Sequence, residues 1–264
     1  MASGMRRAFD IYAIMAPLVL MPIAVLAWWR HYEGNAQLTA LAVILPVLHA
    51  YIVPGIGTNV LGMWAFNARL KVGKFRPQHG FVFGSATALL TLLVIGSPDP
   101  HAGLREAFFA GCAGAALLLA VNWSYDALAI RHEVLEVYNQ PWADGAGAWA
   151  IAGDYVVWFF GLFGLIYVGG LKLAEGVLLK APTTGVALGI GAALLGATLL
   201  LPALCYIASS YLRHGHNGCR PVMPRDDGVR PPAHDMPTAV SCATSNVGPN
   251  TGANKGANAE RRIA

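Results

Sequence analysis

Six apolar runs, over 11–29, 38–54, 81–96, 106–130, 151–173 and 185–212, lie along this chain of 264 residues. A hydrocarbon core about 30 Å thick is crossed by about 20 residues of helix, and within it every backbone N–H and C=O must find its partner in the protein. Segments this long and this poor in charge fold as membrane helices packed side by side. With 56% hydrophobic and 12% charged residues, against roughly a quarter charged in soluble domains, the chain falls outside the ordinary soluble classes. The fold expected is an all-α polytopic transmembrane bundle of about six spans. The third run is short, and 55–66 prolongs the second as a broken extension or an extra half-span.

Flanking charge orients the bundle, because Lys and Arg collect on the cytoplasmic side. Arg6 and Arg7 precede the first run, Arg69, Lys71, Lys74 and Arg76 follow the second, Arg131 follows the fourth, and Arg213 and Arg220 follow the sixth. The intervening loops mix Arg30 with Glu33, Arg105 with Asp99 and Glu106, and Lys172 and Lys180 with Glu175. This alternation predicts both termini on the cytoplasmic side of a bacterial-type inner membrane. The net charge of +4 serves orientation; no basic motif interleaved with aromatics points to nucleic acid. Val25, Leu26 and Ala27 resemble a signal-cleavage triplet, but the run is long for a signal core. Trp28, Trp29 and Tyr32 read as the interfacial anchor of a retained span.

The domain expected is 1–213. Residues 214–264, rich in Pro, Gly, Asn and Arg, have few side chains able to build a core and read as a disordered cytoplasmic tail. Four cysteines without CxxC spacing argue against a disulfide framework. Gly185 and Gly189 form a GxxxG pair, with Gly161, Gly164, Gly169, Gly191 and Gly196 as further small surfaces; packing of the last two spans is expected, and a helix-mediated oligomer or larger membrane complex is the alternative.

The segment Asn122 to Tyr138, NWSYDALAIRHEVLEVY, concentrates the chemistry. Ionisable groups at membrane depth are costly and usually functional. Read as one continuing helix, it aligns Asn122, Asp126 and Glu133, with Tyr125, His132 and Glu136 on the adjoining strip. Asp154 and Tyr155 open the fifth span and approach this strip if the two spans are antiparallel neighbours. Clustered carboxylates repel, so one holds a proton and acts as acid while another acts as base. Solvated turns formed by Arg131, His132, Glu133 and Glu136 are the plainer account; it applies least to Asp126, about a turn inside Arg131. A metal is disfavoured, since HEVLE lacks a second His and ExxE replaces ExxH.

A second constellation, His49 and Tyr51 followed by Pro54, Gly55, Gly57, Thr58 and Asn59, interrupts the second span. Irregular backbone at membrane depth is tolerated where it lines a cavity. His49 is the one histidine well inside an apolar run, so a bis-histidine haem has no second ligand. The basic loop 69–76 is explained by orientation as well as by anionic headgroups. No Walker loop, histidine box, aspartate-rich prenyltransferase motif or GxSxG occurs.

These residues predict a pocket between the second, fourth and fifth spans for a small hydrophobic or amphipathic molecule, with membrane lipid as its surroundings. Asp126, Glu133, Glu136, His132 and Asp154 are the catalytic candidates; His49, Tyr51, Asn59, Asn122 and Tyr125 are the substrate contacts. The chemistry expected is isomerisation, hydration or cyclisation of a lipid or isoprenoid, with no metal and no assigned cofactor. A proton-coupled permease and a non-catalytic assembly subunit are the alternatives.

Overall fold

The computed structural model describes residues 2–68 and 71–224. Helix α1 (Ala2–Met15) passes through a π-helical turn at Ala16–Leu20 into α2 (Met21–His31), giving one rod. Pro17 and Pro22 lack the N–H that an unbroken α-helix requires, and the π turn absorbs the defect. The second rod is α3 (Ala36–Gly55) with a π turn at Ile56–Val60, where Thr58 Oγ1 donates to Pro54 O at 2.7 Å. Its Asn35 cap accepts from Leu38 N at 3.0 Å. Then follow α4 (His79–Thr91), α5 (Leu104–Arg131), a single turn α6 (Gln140–Ala143), α7 (Ala148–Val156) leading through a π turn at Val157–Leu162 into α8 (Phe163–Leu178), and α9 (Thr184–His214). Residues 55–66 are not a half-span. They complete the π turn and then form strand β1 (Trp64–Phe66).

Five rods are long and apolar enough to cross a membrane. The sixth pass follows from pairing. Strand β1 is antiparallel to β2 (Leu135–Val137), and Val222 N, beyond α9, donates to Tyr138 O at 2.9 Å. Arg6 Nη2 donates to Asn67 O at 3.3 Å. The segments after α3, α5 and α9 thus share one face with the start of α1, called here the terminal face. Because the chain is on this face both before α4 and after α5, α4 must carry it to the distal face, although its 13 residues rise only about 20 Å. The chain is an integral, multi-pass membrane protein of six passes.

The distal face is knotted at Glu175, which is fully buried. Its carboxylate accepts from Tyr32 Oη at 3.0 Å, Asp99 N at 2.9 Å and Lys172 Nζ at 2.7 Å, while Lys172 Nζ also donates to Ser97 O at 2.6 Å. Asn35 Nδ2 donates to Leu178 O at 3.1 Å. The distal connections before α3 and before α5 are therefore both tied to α8.

Glycine sets the contact between α5 and α8. A Cβ on Gly164 would stand 2.9 Å from Gly114 O, one on Gly169 2.9 Å from Ala107 O, and one on Gly111 2.7 Å from Leu165 O. Helices α5 and α8 are thus pressed together antiparallel over their small residues, where dispersion replaces the hydrophobic effect as the attraction within lipid. Gly185 and Gly189, the pair expected to pack the last two spans, have open space around them. Helix α9 runs along the outside, with Leu188, Leu200, Leu204 and Leu212 exposed. Residues 214–224 return over the terminal face; 225–264, the greater part of the tail expected to be disordered, lie outside the described residues, as do Arg69 and Leu70.

Candidate functional site

Below the middle of the bundle, towards the terminal face, lies a cavity of about 120 Å³. Its walls come from the second, fourth and fifth spans and also from α4, which the sequence did not single out. On α5 the spacing 121, 122, 125, 126, 129 is one helical face, and it turns Val121, Asn122, Tyr125, Asp126 and Ala129 inward. On α3, His49, Ala50, Val53 and Pro54 face it, and α4 adds His79, Val82, Phe83, Ala86 and Leu90. The π turn after α7 brings Phe159 and Phe160 beside Tyr155, and Tyr12 leans in from α1. Strand residues Trp64, Phe66 and Leu135 form the floor with Arg76.

The polar groups gather at the floor. Asp126 is 8% exposed, and its Oδ2 accepts from Tyr155 Oη at 2.7 Å. Arg76 is 3% exposed; its Nε donates to His79 Nδ1 at 3.2 Å, its Nη2 donates to Tyr125 Oη at 3.3 Å, and its guanidinium carbon lies 4.9 Å from the centre of the Phe66 ring. An imidazole nitrogen that accepts from arginine carries no proton, so His79 is the neutral Nε2–H tautomer. Tyr12 Oη donates to Val82 O at 2.7 Å, and its ring meets Tyr125 edge-on at 6.0 Å. Higher up, His49 is 3% exposed, its ring 4.3 Å from that of Phe163, and its Nδ1 makes no hydrogen bond with any described residue.

The mouth opens sideways. Ala86 and Leu90 on α4 are half-buried, as is Asn122, and Val121 on α5 is exposed. Val121 stands ten residues before Arg131, about 15 Å along the axis, which is about half the depth of a bilayer core. Asp126 is five residues before Arg131, about 7.5 Å in. The cavity thus runs from a polar floor near the terminal face to a lateral, apolar opening at mid-membrane.

The other expected site residues go elsewhere, for local reasons. Helix α5 stops at Arg131 instead of running on to Tyr138, so the strips that joined Asp126 to Glu133 and Tyr125 to Glu136 do not exist. Glu133 adopts the left-handed conformation, φ +58°, and reverses the chain into β2, with Val134 N donating to Ala129 O at 2.8 Å. His132 is the C-cap of α5 and lines no part of the cavity. On β2 side chains alternate, so with Leu135 on the floor Glu136 points away. It accepts from Asn67 Nδ2 and from Tyr138 Oη. Burial and the Glu136 carboxylate both push the Tyr138 phenol well above its ordinary value, keeping it a donor.

Asp154 lies on the far side of α7 from the cavity. It binds Arg213 Nη1 at 2.7 Å, His214 Nε2 at 3.1 Å and Asn139 Nδ2 at 3.2 Å, clamping the end of α9 to the last turn of α7. Asn59 braces the turn 71–75: its Oδ1 accepts from Lys74 N at 2.9 Å and its Nδ2 donates to Val72 O at 3.3 Å. Gly73 there has φ +64°, and a Cβ would stand 2.4 Å from Asn59 Oδ1. Tyr51 packs against Phe75 and Phe81 rather than into the cavity. Asp126, Asn122, Tyr125 and His49 are the expected residues that the fold brings to one site.

Sequence reasoning missed Arg76, His79, Tyr12 and the phenylalanines of the π turn as site residues. Arg76 stood among other loop cations; its one distinguishing mark was its place next to Pro77 at the threshold of an apolar run. Among the described residues no three His, Cys, Asp or Glu side chains converge on a metal position. Comparison of the chain with protein-family models, with curated proteins and with solved structures gives no match.

Proposed function

We propose that the cavity binds a small amphipathic molecule taken from the bilayer, a lipid or isoprenoid, and that Asp126 performs acid and base chemistry on it. The observation that carries this reading is a buried carboxylate, oriented by Tyr155, facing a largely apolar cavity with a lateral mouth. Within an apolar wall each proton transfer is made by a positioned group, and Asp126 Oδ1, the oxygen Tyr155 does not engage, is the group at hand. In an isomerisation, Asp126 gives its proton to one carbon of a double bond and recovers one from a neighbouring carbon, so the double bond moves and the enzyme is restored. Hydration and cyclisation begin with the same protonation. We place the terminal face in the cytoplasm of a bacterial-type inner membrane, since Arg6, Arg7, Lys71, Lys74, Arg131, Arg213 and Arg220 collect there.

The test is extraction and mass spectrometry of lipid bound to the gently purified protein. The wild type is expected to carry a stoichiometric amphiphile, and Asp126→Asn to carry the unconverted species at equal stoichiometry. Identical lipid species in both proteins would remove Asp126 from the chemistry. A second reading, an assembly subunit, draws on one observation: a Cβ on Gly185 or Gly189 of α9 would meet no other part of the described residues within 4 Å, which suits a helix from another molecule. A defined larger complex in mild detergent would support it.

A further inference from the structure

We infer that the molecule bound in this cavity carries an oxyanion head, a carboxylate or a phosphate, held by Arg76 at the cavity floor; this rests on the reading of the cavity as an amphiphile site. The guanidinium is buried, and each of its described contacts is to a neutral group: the His79 imidazole, the Tyr125 phenol and the Phe66 ring. Among the described residues the ion pairs within 4.0 Å are Lys172 with Glu175, and Asp154 with Arg213 and His214. Arg76 has none. Asp126 feels the Arg76 charge through space but forms no ion pair with it; a buried charge without a paired counter-ion is strongly unfavourable, and arginine does not shed its proton to escape the cost.

The other N–H groups of Arg76 make no hydrogen bond to a described residue, and the side chain lines the cavity. The cavity's one carboxylate among the described residues is Asp126, which is turned onto Tyr155 and lies beyond ion-pair distance of Arg76. The planar guanidinium matches two oxygens of a carboxylate or phosphate at once, which a neutral hydroxyl does not offer. Tyr125, already accepting from Arg76, donates its own O–H to no described residue and can offer it to the same head. Size limits the rest of the molecule. A volume of about 120 Å³, open on one side, is close to that of a site that takes a single benzene ring. One chain or ring therefore fits above the head, and the remainder leaves through the mouth between α4 and α5.

The test uses the full chain in detergent and three probes with one tail, oleate, oleyl phosphate and oleyl alcohol, read by isothermal titration. Wild type is expected to bind one of the two anions at least about tenfold more tightly than the alcohol, and the stronger of the two identifies the head. Arg76→Gln should erase that preference while leaving oleyl alcohol bound as before, and Arg76→Lys should keep part of it. Equal affinity of the wild type for all three probes, or a preference that survives in Arg76→Gln, overturns the assignment. The wild-type comparison decides the matter even if Arg76→Gln does not fold. If no probe binds wild type, the amphiphile reading itself fails and the oxyanion assignment fails with it. Binding of oleyl alcohol alone would leave the cavity standing and sink only the oxyanion.

Discussion

Replacing His49 by phenylalanine should stabilise the protein and weaken its ligand binding. His49 is 3% exposed, sits against Phe163 and Phe83, and leaves Nδ1 without a hydrogen-bond partner among the described residues. A buried polar atom left unpaired costs about 1–3 kcal/mol, and replacing it with an apolar group of similar shape recovers that amount. Phenylalanine keeps a flat ring in the aromatic cluster and has the adjoining cavity for its extra atoms. In a bundle of this size about 1 kcal/mol corresponds to roughly 2–4 °C in Tm, so a rise of a few degrees is expected. His49→Ala, which opens a hole, should fall in the opposite direction by about 3–5 kcal/mol, as for a large aromatic truncated in a core. Thermal unfolding in one detergent, followed by tryptophan fluorescence, gives both numbers, and titration with oleyl alcohol gives the binding side. If His49→Phe loses more than about 1 kcal/mol, the imidazole has a partner in the folded protein and is a structural residue. Stability gained together with affinity lost is the pattern of a group retained for a ligand.

Two other predictions separate scaffold from site. Gly164→Ala should destabilise by about 1–3 kcal/mol through overpacking at the α5–α8 crossing, whereas Gly189→Ala, with open space around it inside α9, should be neutral or stabilise by up to about 1 kcal/mol; equal losses on unfolding in detergent would refute the packing. Glu133→Gly should fold within about 1 kcal/mol of wild type because glycine accepts the left-handed backbone, while Glu133→Val should lose about 1–2 kcal/mol. A catalytic Glu133 would instead give a glycine variant that folds normally and carries only unconverted lipid.

The passes were legible because the bilayer demands a continuous apolar length, and each of the six runs contains or overlaps a helix. Asp126 was legible for a related reason: a carboxylate placed a turn inside the last arginine of an apolar helix has few uses other than facing protein. The neighbouring acids were misplaced because a period of 3.6 was carried past the end of the helix. Nothing in RHEVLEVY forbids helix, and the strand over Leu135–Val137 arises from its long-range partner Trp64–Phe66, with Ala65 paired to Glu136, 71 residues on. Pairing over that distance leaves no local trace beyond β-branched and aromatic residues. The last two spans do pack together, with Gly170 against Leu194, but Gly164 and Gly169 face α5 and Gly185 and Gly189 stand clear, since small-residue spacing marks a surface able to pack and does not name its partner.

The same sheet explains why the site stands where it does. Had α5 continued as a helix, Glu133 and Glu136 would have joined Asp126 and filled the floor with negative charge. By ending the helix at Arg131 and turning through Glu133, the chain sends both glutamates away and lays Leu135 and Phe66 beneath the cavity instead. The loop that pairs with it returns through Phe75 and delivers Arg76 onto Phe66, so one device removes two carboxylates and supplies a cation. The floor is left with Asp126 and Arg76 held apart on separate partners, Tyr155 and Tyr125. A carboxyl group and a cation that the fold keeps on separate partners, with a cavity between apolar walls, are what a polar head must find if it is to exchange water for protein at the end of an otherwise greasy tail.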